Sequence, residues 1–238
     1  MVDIAVVDYG MGNLRSVQQA LRSVAPHLSI EVTGDPQVVA QSGRVVFPGQ
    51  GAMPDCMREL DARGLRGAVL EAARSKPFLG ICIGLQMLFE HSAEGDVAGL
   101  GILPGQVVRF AHDMHDTQGN KLKVPHMGWN QVHHKTFPLP SPLPGGEGAM
   151  AASTNNGSQK IDEHPLWQGI AQDARFYFVH SYYVRTNDKS LVQATSDYPQ
   201  PFVCAVARNN LFAVQFHPEK SHAAGLQLLR NFVNWKPV

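Results

Sequence analysis

Cysteine is scarce in this sequence: three residues among 238, Cys56, Cys82 and Cys204. An odd number with no pairing pattern offers no disulfide framework, and a reducing setting, the cytoplasm, is expected. Net charge is also missing, since 20 Lys and Arg balance 20 Asp and Glu. With no strongly basic face announced, a nucleic-acid or polyanion partner is not expected. No apolar run reaches the roughly 20 residues that span a bilayer. The opening Met1-Val2-Asp3-Ile4 lacks the basic start, apolar segment and cleavage site of a signal peptide, so no membrane association is expected. Metal-ligand patterns are lacking too. The 11 histidines are scattered, and His133-His134 and His112 with His115 have no matching Cys or acidic residues at metal spacing. Gly10-Met11-Gly12 stands without the rest of a dinucleotide fingerprint. Neither a metal nor a cofactor is expected.

What the sequence has is apolar mass, 44% hydrophobic residues. A chain of about 200 residues buries roughly 70% of its unfolded surface, so one core needs no staple, and residues 1–238 read as one domain. Short β-rich runs alternate with helical patterns, which argues for an α/β sheet. Ile4 to Val7 is a strand, and Leu14, Val17, Leu21 and Val24 then mark one face of a helix with Asn13 as its N-cap. Arg44 to Phe47 is a second strand. Residues 53–74 read as helical with a break near Gly64, placing Cys56 on a helix. Pro77 to Ile81 is a strand that runs through Cys82 into a helical stretch from Leu85 to Phe89. Later strands are expected at 106–110, 175–179, 191–195, 202–206 (which holds Cys204) and 211–216. An amphipathic helix closes the chain from about His222 to Trp235. Residues 138–162 stand apart, rich in Pro, Gly, Ser, Ala and Asn. They lack the apolar surface that offsets ordering entropy and read as a disordered insertion, with a lid or partner-binding loop as the alternative.

Gly80-Ile81-Cys82-Ile83-Gly84 is the sharpest motif. It has the form of a nucleophile elbow, with cysteine where serine often stands. A strand turns into a helix so tightly that the flanking residues must be small. A thiolate there gains from the helix dipole, and the Ile83 N–H supplies half of an oxyanion hole. By itself the motif fits a buried structural cysteine between turn glycines equally well. Phe216-His217-Pro218-Glu219 after a strand decides for chemistry: a cysteine nucleophile needs a base, and the base needs an orienting acceptor. His217 fills the first role and Glu219 the second, with Pro218 stiffening the spacing. Gly49-Gln50-Gly51 follows another strand end, where glycines let backbone approach a ligand and provide a second oxyanion N–H; an ordinary turn is the alternative. Gln86 lies one helical turn after Cys82, placed to pair with a polar substrate or simply to face solvent.

These residues resemble the triad class of glutamine amidotransferases, which join a Cys elbow (GICIGLQ, Gly80 to Gln86) to a late His-x-Glu (HPE from His217). Finer segments are similar to the glutaminase subunits of imidazole glycerol phosphate synthase. They are VVDYGMGNLRSV from Val6, FPGQGAM from Phe47, PHMGWN from Pro125, YFVHSYYV from Tyr177 and QFHPEKS from Gln215. The resemblance covers nearly the whole chain apart from 138–162, a passage that is shorter in that family. It implies a twisted, mostly parallel sheet flanked by helices. It implies hydrolysis of glutamine through a thioester on Cys82, with Cys82, His217 and Glu219 as triad and Gly51 and Ile83 as oxyanion hole. Gln86, with the backbone at Ser181 and Tyr182, would hold the glutamine head group. The implied partner is a (β/α)-barrel cyclase subunit, forming a heterodimer that makes imidazole glycerol phosphate in histidine biosynthesis. Asn13, Trp129, Tyr182 and Lys220 would face that partner. A glutaminase of anthranilate, guanylate or vitamin B6 synthesis is the nearest alternative. A cysteine peptidase or γ-glutamyl hydrolase, and a non-catalytic regulatory subunit, are further ones.

Overall fold

The computed structural model describes residues 2–135 and 163–237; the expected insertion at 138–162 lies outside them. In chain order the elements begin β1 (Ile4–Val7), α1 (Leu14–Val24), β2 (Ile30–Thr33), α2 (Pro36–Gln41), β3 (Arg44–Gly49), α3 (Met53–Ala62) and α4 (Arg66–Ser75). Then come β4 (Phe78–Cys82), α5 (Ile83–Gln86), β5 (Phe89–Ser92), β6 (Val97–Ala98), β7 (Leu103–Arg109), β8 (His126–Gln131) and β9 (His133–His134). The last are β10 (Arg175–His180), β11 (Tyr182–Arg185), β12 (Val192–Asp197), β13 (Pro201–Arg208), β14 (Leu211–Val214) and α6 (His222–Asn234).

The main sheet runs β2-β1-β3-β4-β14-β13-β11-β7-β5-β6, and β8 with β10 forms a separate ribbon. Its first five strands are all parallel to one another. The expected helix-flanked α/β sheet is therefore present. Its parallel block continues through antiparallel pairing of β14 with β13 and of β13 with β11, and β5 joins β7 in parallel. β1, β4 and β14 are buried along their whole length, as strands covered by helices on both faces must be. Phe47, Phe78, Phe212 and Phe216 are completely buried at its centre, each worth about 1.5–3 kcal/mol of transfer free energy.

Two local expectations gave way. Asn13 heads α1 through its backbone, but its side chain makes no capping hydrogen bond. The helix expected through Phe89 stops after one turn at Gln86. The peptide groups that would have continued it are taken elsewhere: Leu100 N–H donates to the Met87 carbonyl, Gly101 N–H to Phe89 and Ile102 N–H to Leu88. Phe89 then pairs in β5 with Leu103. Tertiary pairing overrides a weak helical pattern here.

The parallel block sets the functional geometry. β3 and β4 are in register with Gly49 opposite Cys82, and β14 lies on the other side of β4 with Val214 opposite Ile81. Gly49–Gly51, Cys82 and Gln215–His217 thus emerge side by side at the carboxyl ends of adjacent parallel strands, where open α/β sheets hold ligands.

Candidate active site

Cys82 sits at the junction of β4 and α5 with φ 57° and ψ −110°. Positive φ at a non-glycine residue stores strain of about 1–3 kcal/mol and persists only when the surroundings impose it. The surroundings here are tight. A Cβ on Gly84 would lie 1.8 Å from the Phe47 carbonyl oxygen, and one on Gly80 would lie 2.9 Å from the Ala213 Cβ. Both glycines of the motif are therefore sterically required, and a structural cysteine beside incidental glycines is the poorer description. The helix that follows is a single turn, so the strained turn itself, more than a helix dipole, shapes the surroundings of the sulfur.

His217 leaves the sheet just beyond β14. Its N–H donates to the Tyr177 carbonyl at 2.9 Å, and its own carbonyl accepts from Ser221 Oγ at 2.6 Å. The ring Nδ1 meets Glu219 Oε1 at 2.8 Å, and both side chains are almost fully buried. Nδ1 thus donates to the carboxylate, and Nε2 is buried with no hydrogen-bond partner among the described residues. Burial works against the imidazolium, but the Cys82 sulfur and the Glu219 carboxylate outweigh it and raise the ring to about 10. A thiol, an imidazole and an orienting carboxylate are the parts of an assisted nucleophile.

Gly49 is wedged between Tyr9 and the elbow: a Cβ there would lie 2.2 Å from Tyr9 Oη and 2.9 Å from the Ile83 Cβ. Gly51 follows with φ 114°. Cys56 packs beneath this loop with its Sγ 3.7 Å from the Gln50 carbonyl oxygen. Burial pushes the Cys56 thiol up to about 11 and raises Cys204 as well, as befits structural thiols.

Cys82 and His217 open onto a cavity of about 230 Å³, whose walls include Gln50, Gly51, Ile83, Gln86 and Ser181–Tyr182. Gln86 is buried, not solvated. Its Nε2 donates to the Tyr182 carbonyl at 3.1 Å and to Gln215 Oε1 at 3.0 Å. Its Oε1 is buried without a partner among the described residues, which costs about 1–3 kcal/mol unless a ligand donates to it. The Ser181 carbonyl already accepts from Phe110 N–H. Glu94 also lines the cavity and takes Met53 N–H on Oε2 at 2.9 Å. The cavity therefore presents a fixed amide acceptor and a carboxylate to whatever lies against Cys82.

The sequence model of the class-I glutamine amidotransferases matches residues 5–235. The chain belongs to that family. Among its relatives, the imidazole glycerol phosphate synthase subunit HisH of Thiobacillus denitrificans is 61% identical over 99% of this chain and 92% of its own length. The same-named subunit of Nitrosospira multiformis is 60% identical over 100% of both. Solved structures share the fold at low identity. A glutamine amidotransferase crystal structure has a TM-score of 0.65 at 15% identity, covering 98% of this chain and 97% of its own. One from Thermotoga maritima has a TM-score of 0.52 at 15% identity, covering 92% and 76%.

Two surface regions of this amidotransferase bear on the remaining expected residues. Met127 and Trp129 project from β8 and are 61% and 42% exposed. Trp129 stacks on His222 with ring centroids 5.0 Å apart and meets Tyr177 edge-on, while Lys220 lies over the other side of this cluster, 5.9 Å from the Tyr177 centroid. α1, which starts beside Asn13, packs against the turn at Pro218–Lys220. Trp129 and Lys220 thus meet around Tyr177, whereas Tyr182 lines the cavity. Sequence reasoning missed Glu94, which no pattern marks, and passed over His180, which stands in the quoted YFVHSYYV segment. It also passed over Gln215, which stands in the quoted QFHPEKS segment and only the hydrogen bonds bring out. No helix among the described residues is long and apolar enough to cross a membrane.

Proposed function

We propose that this single-domain chain is the glutaminase subunit of imidazole glycerol phosphate synthase, hydrolysing glutamine and passing ammonia to a (β/α)-barrel cyclase partner in the cytoplasm. The observation that carries the chemistry is Cys82, held at φ 57° beside the buried His217–Glu219 pair. Full-length relatives named as that synthase's HisH subunit support the choice of pathway.

In this mechanism His217 takes the Cys82 proton through Nε2 and keeps it against the Glu219 charge. The sulfur attacks the side-chain amide carbon of glutamine, and the oxyanion rests on the Ile83 and Gly51 N–H groups; losing one such donor costs about 100- to 1000-fold. His217 returns its proton to the departing ammonia, then activates the water that clears the thioester. The unpartnered Gln86 Oε1 and the Glu94 carboxylate suit the N–H groups of glutamine, including its cationic amino group. Met127 and Trp129 form part of the face that meets the cyclase.

Glutamine hydrolysis by a lone subunit wastes ammonia, so low activity alone and a rise with liganded cyclase are expected, through a backbone flip at 49–51 that glycines permit. The deciding experiment supplies the cyclase and compares ammonia sources. Cys82→Ala should abolish glutamine-dependent synthesis and leave synthesis from added ammonia intact. Undiminished glutamine hydrolysis by that variant overturns the assignment.

A further inference from the structure

We propose that Gln215 is a further catalytic residue of this site, its carboxamide N–H serving as a hydrogen-bond donor to the Cys82 sulfur, with its orientation imposed by a one-way chain of buried hydrogen bonds. The inference rests on the glutaminase reading for its meaning but on separate contacts for its geometry. Gln215 Nε2 lies 3.8 Å from Cys82 Sγ, and the side chain is completely buried.

A carboxamide could present either end to the sulfur, so its polarity must be derived. The Tyr182 carbonyl can only accept, and it takes Gln86 Nε2 at 3.1 Å and His180 Nδ1 at 2.8 Å. His180 therefore carries its proton on Nδ1 and offers the lone pair of Nε2. His126 Nδ1, 2.9 Å away, must donate to it, and His126 Nε2 in turn accepts from Asn130 Nδ2 at 3.2 Å. Both rings are held neutral by burial, which pushes His180 down to about 3 and His126 to about 4. With the carbonyl fixed as acceptor, flipping Gln86 would set its oxygen against the Tyr182 oxygen. Its NH2 group therefore faces both Tyr182 and Gln215, so Gln215 turns its oxygen to Gln86 and its N–H to Cys82. An N–H aimed at sulfur favours the anionic over the protonated form, the form that attacks. The same donor continues to face the sulfur while His217 is shuttling its proton.

The chain begins on β8. His126 and Asn130 lie on the inner side of the strand whose outer side carries Met127 and Trp129. Asn130 and His126 end on the same Tyr182 carbonyl as Gln86, through His180.

The test uses Gln215→Met, which preserves length and apolar packing but has no donor. Cys82 is alkylated with iodoacetamide at pH 7 in the intact chain and followed by peptide mass spectrometry. The variant should react about tenfold more slowly, the size expected for a hydrogen bond to a charged group. Glutamine affinity is then compared in Cys82→Ala and Cys82→Ala/Gln215→Met proteins, and it should fall by much less than the alkylation rate, because Gln86 loses its Gln215 acceptor but keeps the Tyr182 carbonyl. Alkylation at the wild-type rate overturns the proposal. So does a loss of glutamine affinity matching the loss of alkylation, because that marks a deformed cavity. Alkylation needs no glutamine turnover, so its result stands even if Cys82→Ala shows the glutaminase reading to be wrong.

Discussion

Side-chain volume at single positions controls this site as much as charge does. Gly84 faces the Phe47 carbonyl in the middle of a buried parallel strand, and backbone there has nowhere to move. Gly64, by contrast, has φ 66° and nothing within 4 Å of a built Cβ. Gly84→Ala should cost at least about 3 kcal/mol through overpacking, whereas Gly64→Ala should cost only the left-handed penalty of about 1–2 kcal/mol. Urea midpoints of the two variants, with m-values compared, check the order; equal losses would show that the elbow tolerates a methyl group. The candidate site letters Cys82, His217 and Glu219 could be read in the sequence because the chemistry proposed for them requires those residue types next to glycine or proline. Glu94 and His180 could not, because each acquires its role only when a distant segment folds against it.

Elements that bury an uninterrupted apolar run were legible: β1, β3, β4, β14 and the faces of α1 and α6 fall where their patterns put them. β2, α2 and β6 are too short to show a period, and α5 is cut off by carbonyls that loop 99–102 captures. β8 was visible only as a motif, yet its alternation separates two tasks. Odd positions Met127 and Trp129 face outward, while His126 and Asn130 bond inward. Trp129 is supported by His222 and Tyr177 and remains nearly half exposed, a large rigid anchor of the kind that dominates interfaces. Trp129→Ala should weaken binding of the cyclase about 30-fold while leaving the melting temperature of the isolated chain within about 2 °C. Calorimetric titration against the cyclase decides it, and unaltered affinity would remove this face from the assembly.

Across the whole molecule four histidines are strongly shifted, and in opposite directions. His217 is held above its ordinary value by the site, whereas three others are held neutral by burial, His126 and His180 side by side and His164 elsewhere. Burial pushes His126 and His164 down to about 4 and His180 to about 3, from an ordinary value near 6.5. Their folded values lie below the unfolded one, so the stability linked to them is complete above about pH 6.5. As pH falls below that, the unfolded chain binds protons that the native rings refuse, and stability drains away toward pH 4 and below. Stability should therefore decline by up to about 1.4 kcal/mol per pH unit for each such ring. His164 offers a clean way to isolate one of them. Its Nδ1 accepts Leu166 N–H at 3.2 Å, capping the short turn at Pro165–Trp167, and its ring packs on Phe212 and Trp235. Protonation would turn that acceptor into a donor facing another donor. Asparagine keeps a capping acceptor but has nothing to titrate. His164→Asn should lower stability at pH 7.5 by losing the ring contacts, and should flatten the decline between pH 6.5 and 4.5 by one proton's worth of slope. Urea unfolding at four pH values measures both quantities independently. An unchanged slope in the variant would mean that His164 is not held neutral in the native protein and adds nothing to the acid sensitivity of the fold.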